Sequence, residues 1–82
     1  MMKNSKKEQV IGDLIQKALN NDATKQIECS IDLLIENEVW HAYNVSISFR
    51  SLMFYTNKGT AYYLVDSYGD RQVMELLDWE RE

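Results

Sequence analysis

The sequence predicts an α+β fold: an antiparallel β-meander of three or four strands flanked by an N-terminal and a C-terminal helix, in the order α-β-β-(β)-β-α. Three patterns predict it. Apolar residues recur at helical spacing over residues 10–19, and they alternate with period two over 27–35 and 39–49. A last apolar cluster, Val73, Met74, Leu76, Leu77 and Trp79, again has the spacing of one helix face. The 82 residues make one small domain, 1–82, with a thin core.

Ser5 and Glu8 have capping-box spacing and mark the start of the first helix. Residues 1–4 precede that cap and are expected to be flexible. Val10, Ile11, Leu14, Ile15, Ala18 and Leu19 then form one stripe, with Leu14 at its centre. Asn20 or Asn21 ends the helix, because Asn tolerates the left-handed conformation.

Next, "QIECSIDLLI" places Ile27, Cys29, Ile31, Leu33 and Ile35 on one face of a strand. With Glu36-Asn37-Glu38 as a three-residue loop, Ile35 faces Val39, Leu33 faces His41 and Ile31 faces Tyr43. That register puts His41 on the apolar face with Val45, Ile47 and Phe49. It sends Trp40 to the outer face, opposite Leu34. Residues 39–56 would span roughly 60 Å as one strand, about twice the width of such a domain. A turn or bulge is therefore expected near Arg50-Ser51. A further hairpin follows with Asn57-Lys58-Gly59 as its loop, pairing Phe54 with Tyr62, Leu52 with Leu64 and Met53 with Tyr63. The last helix starts at Ser67 or Asp70, and Glu80 and Glu82 at its end oppose the helix dipole.

Charge restricts the functions available. The net charge is −4, divided as +2 over residues 1–25, −2 over 26–65 and −4 over 66–82. An acidic chain is a poor non-specific ligand for DNA, RNA or anionic membranes, all of which require a basic surface. Double-stranded-RNA-binding domains share an α-β-β-β-α order, but they carry a lysine cluster at the start of the second helix. Here that position reads "GDRQVMELLDW", which argues against RNA binding. No apolar run reaches the roughly 18 residues that span a bilayer, and "MMKNSKKEQV" is not followed by a secretory apolar core. A cytoplasmic location is expected, and Asn44-Val45-Ser46 is then a chance sequon.

Catalytic chemistry finds little to use. His41 is the only histidine. On the predicted apolar face it reads as a core residue whose charged form is disfavoured by burial. Cys29, the only cysteine, lies among isoleucines and reads as a small buried hydrophobe. Glu28, Asp32 and Glu36 share the polar face, but successive members lie roughly 13 Å apart. They can neither converge on one metal ion nor act as an acid–base pair. No catalytic group, metal or cofactor is expected.

What remains is a surface. The carboxylates Glu28, Asp32, Glu36, Asp66, Asp70 and Asp78 and the outer aromatics Trp40, Tyr55 and Tyr63 are the expected partner-binding residues. Aromatic residues are enriched at protein interfaces. These features predict a small acidic protein-binding module, an inhibitor occupying the basic, nucleic-acid-binding surface of a partner protein. Phage anti-defence proteins of the anti-CRISPR type, nuclease inhibitors and immunity proteins are the analogous classes. The alternative is a structural or assembly protein, a homodimer or larger homo-oligomer built through the outer sheet face.

Overall fold

The computed structural model describes residues 6–20 and 25–82, with helix side chains from Val10 onward. Residues 1–4, the capping pair Ser5 and Glu8, and Asn21 concern positions or side chains outside those described. One helix, α1 (Lys6–Leu19), is followed by β1 (Lys25–Ile35), β2 (Glu38–Ser48), β3 (Ser51–Thr56), β4 (Gly59–Tyr68) and β5 (Arg71–Arg81). The strands form a single antiparallel sheet in sequence order, β1-β2-β3-β4-β5.

The pair of helices expected to flank the sheet is not there. The described residues form five strands and one short helix, and the segment expected to form a C-terminal helix is β5. The misleading signal has a physical origin. Tyr62 and Tyr63 are adjacent on β4, but they pair with Asp78 and Leu76 on β5, so Leu77 is an extra residue in the ladder. This bulge lets Met74, Leu76 and Trp79 all reach the inner face, a spacing of two then three that imitates a helix stripe.

Turn lengths correct the registers. Glu36 and Asn37 both take positive φ, 52° and 66°, forming a two-residue loop of the type I′ pattern. Ile35 therefore pairs with Glu38, Leu33 with Trp40 and Asp32 with His41, one position away from the expected register. The turn near residue 50 is also tight: Ser48 pairs with Ser51 around Phe49-Arg50, with Arg50 at φ 61°. Asn57-Lys58 is likewise a two-residue loop closed by Thr56 and Gly59, which pairs Phe54 with Ala61, Leu52 with Tyr63 and Met53 with Tyr62. Gly59 has φ 145°, and a Cβ there would run into the Glu80 carbonyl oxygen of β5. The Thr56 hydroxyl secures this turn, accepting from the Lys58 and Gly59 amides and donating to the Gly59 carbonyl.

β2 changes phase midway. Ala42 and Asn44 pair with the adjacent residues Thr56 and Tyr55, so Tyr43 is extra. Beyond it, Val45 and Ile47 point inward, whereas before it Trp40 and Ala42 do. From Glu28 to Ile31 on β1 the chain takes three steps, against two on β2 and one on β3. The outer strands thus travel farther around this corner, and the sheet bends about it.

The bent sheet holds its core on the side that α1 covers. Leu14, Ile15 and Ala18 of α1 are buried against Ile31, Leu33, Ile35, Trp40, Val45, Leu52, Phe54, Ala61, Tyr63 and Val65. Phe54 and Tyr63 meet edge to face, with centroids 5.4 Å apart. α1 is tied down at its end by the Arg50 amide, which donates to the Ala18 carbonyl, and by a Gln72–Gln16 side-chain hydrogen bond to β5. The other end of the core is closed across the bend. The Arg81 guanidinium of β5 lies 5.1 Å from the Trp40 ring of β2 and pairs with Glu38. Lys58 supports Glu38 from 3.7 Å.

Candidate functional site: the uncovered face of the sheet

One face of the sheet is under α1, and the other is uncovered among the described residues. Its side chains follow from the register. One row across the strands reads Gln26, Ser46, Met53, Tyr62 and Asp78, and the next reads Glu28, Asn44, Tyr55, Thr60 and Glu80. A third contains Ser48, Ser51, Leu64 and Glu75. Toward the β1–β2 turn lie Asp32 with His41 and Leu34 with Val39.

This placement overturns two expectations about partner binding. Trp40 is fully buried and Tyr63 is 6% exposed; both belong to the core and not to the outer surface. The cause is the shift of one residue in each hairpin, which exchanges faces along the affected strand. Burial also pushes the Tyr63 hydroxyl to a higher pKa than usual. Tyr55 does lie on the uncovered face, half-buried between Asn44 and Thr60.

The carboxylates divide. Glu28 and Asp78 lie on the uncovered face and are exposed. Asp32 is there too, but its Oδ1 is 2.8 Å from His41 Nδ1. His41 is thus no core residue: its side chain is 48% exposed, and the burial argument for it falls. Glu36 and Asp70 sit in the tight turns before β2 and β5, so Glu28, Asp32 and Glu36 do not form one row. Asp66 pairs with Arg50. The Ser67 amide, with Arg50 assisting, holds its carboxyl below the usual carboxylate range. Cys29 is partly buried, which pushes its thiol up and away from nucleophile chemistry.

Sequence reasoning missed three elements of this face. Glu75 and Glu80 were assigned to a helix, yet they continue the acidic margin that Asp78 begins on edge strand β5. Leu77, the extra residue of the β5 bulge, is 59% exposed. Tyr62 donates its hydroxyl to Glu80 at 3.1 Å, and that bond holds its proton above the ordinary tyrosine pKa. A two-residue reading of the Asn57-Lys58 loop would have turned Tyr62 outward.

Between these side chains lies a groove of about 410 Å³, lined chiefly by Ser46, Ser48, Ser51, Met53, Tyr62 and Leu77. Its walls are mostly apolar. Among the described residues no cluster of three His, Cys, Asp or Glu side chains could hold a metal ion, and no helix is long and apolar enough to cross a membrane. No protein-family model, curated protein or solved structure matches the chain.

Proposed function

We propose that this chain is a small acidic protein-binding module that docks its uncovered sheet face onto a basic surface of a partner protein, in the cytoplasm. The observation that carries this is the sign of charge on that face. Among the described residues, Glu28, Asp32, Asp66, Glu75, Asp78 and Glu80 lie on it, against Arg71, His41 and Arg50, the last of these held by Asp66. A nucleic-acid-binding surface is the commonest large basic surface a protein offers, and spaced carboxylates can stand where it expects phosphates. An inhibitor of the anti-defence, nuclease-inhibitor or immunity type would work in this way, accelerating its encounter with the target by electrostatic steering.

The homo-oligomeric alternative is less favoured by the same charges. Stacking two copies through this face would oppose carboxylate margins of one sign, and Trp40 and Tyr63 are not available to form such an interface.

The test is charge reversal on a captured partner. Asp78→Lys with Glu80→Lys should abolish capture of a basic protein and its displacement from nucleic acid, whereas Glu36→Lys at the turn should not. Association should also slow steeply as salt rises. Binding that ignores both salt and charge reversal would overturn the proposal.

A further inference from the structure

The structure assigns the groove on the uncovered face a specific role: it is an anchor pocket that receives one large apolar side chain, aromatic or aliphatic, from a lysine- or arginine-rich segment of the partner. This rests on the basic-partner reading above and adds what that partner must carry besides charge.

The lining chooses the chemistry. Met53 and Leu77 supply apolar surface, and Tyr62 presents its ring because its hydroxyl is engaged by Glu80. The Ser48 and Ser51 hydroxyls lie 2.7 Å apart, one donating to the other. A polar occupant would find only a few serine hydroxyls to bond in an otherwise apolar groove, so much of its desolvation would go uncompensated. An apolar occupant needs no such compensation, because removing its own surface from water is favourable. The volume, about 410 Å³, suits one bulky side chain with part of its backbone. Leu77 is placed there by the β5 bulge, a device that re-aims a side chain at the expense of one ladder position.

The surroundings choose the occupant's neighbours. Asp78 and Glu80 flank Tyr62 on β5, Glu75 lies across from Leu64, and Glu28 closes the far side beyond Asn44. A side chain entering the groove therefore arrives between carboxylates, and cations to either side of it are complemented. A second copy of this chain is a poorer match. Its exposed Phe49 stands beside Arg50, but Arg50 is held by its own Asp66 and brings no free cation.

The test uses three short synthetic peptides, each rich in lysine and arginine, with tryptophan, leucine or alanine at the centre. Each is titrated against the full chain by fluorescence anisotropy. The tryptophan and leucine peptides should bind about tenfold or more tighter than the alanine peptide, as burial of one large side chain requires. Leu77→Ser, at an exposed position, should bring the tryptophan and leucine peptides to the level of the alanine peptide. Ser48→Trp, which fills the groove from its floor, should do the same, with an amide NMR spectrum confirming the fold. Three equal, salt-sensitive affinities would overturn the anchor pocket and leave the basic-partner reading standing. Absence of binding by any of the peptides would overturn both. Concentration-dependent self-association abolished by Phe49→Ser would show that a second copy fills the groove, overturning the assignment.

Discussion

Glu38 shows how much one exposed side chain can organise. It accepts from Arg81 and is approached by Lys58, joining β2, the β3–β4 turn and β5 across the bend. The hydrogen bond from Arg81, with the two positive charges, holds its carboxyl below the ordinary 4.5. A depressed folded-state pKa means that the contribution is complete above the unfolded value and is lost as pH falls through the folded one. Glu38→Gln should therefore flatten the acid side of the stability curve below about pH 4.5, read by urea denaturation at successive pH values. His41 and Asp32 offer a contrast. Their contact is short but both side chains are about half exposed, so a double-mutant cycle with alanine should give a coupling of about 1 kcal/mol or less. Gly59 is the least replaceable glycine: Gly59→Ala should destabilise by more than the ordinary glycine-to-alanine effect, because the new Cβ meets the β5 backbone. Thermal unfolding of that variant checks the claim.

At the level of elements, α1 and β5 are tested by opposite substitutions. Leu14→Ala should cost about 2–5 kcal/mol, since Leu14 is 2% exposed between helix and sheet. In β5 the bulge leaves Leu77 exposed on the uncovered face while Trp79 packs against the core, so Leu77→Ser should change stability by about 0.5 kcal/mol while Trp79→Ala should cost distinctly more. The legibility of the sequence divides along this line. The stripe Leu14, Ile15, Ala18 and the alternation Ile31, Leu33, Ile35 are visible without coordinates, and all six residues are buried. Face assignments beyond them depended on loop length. Glu36-Asn37 and Asn57-Lys58 close in two residues where three were expected, and a one-residue error exchanges inside for outside. The Tyr43 and Leu77 bulges broke the period in the middle of strands, which no fixed periodicity can represent. The carboxylates Glu28 and Asp78 were legible as a surface because charge tolerates such errors better than packing does. Trp40 was not, since its assignment rested on parity alone.

Taken whole, the described residues make a flattened body, 36 × 35 × 21 Å, with a helix on one broad side and none of these residues covering the other. Its two margins, β1 and β5, are both eleven residues long and lack a neighbouring strand on one side among the described residues. The charged residues Glu28, Asp32, Glu75, Asp78 and Glu80 on them discourage edge-to-edge pairing. Sedimentation velocity over a hundredfold dilution should accordingly show a monomer, and replacing Glu28, Asp32, Glu75, Asp78 and Glu80 by their amides should promote association. The strand order has a further consequence, for the time course of folding. Each ladder joins neighbours in sequence through a turn of two residues, so the sheet can zip from one hairpin to the next with little loop-closure entropy. Only α1 must wait, because its seat includes β4 and β5, more than forty residues downstream of Leu14. Such a chain should fold quickly for an all-antiparallel sheet, with the hairpins assembled in the transition state and the helix docking afterwards.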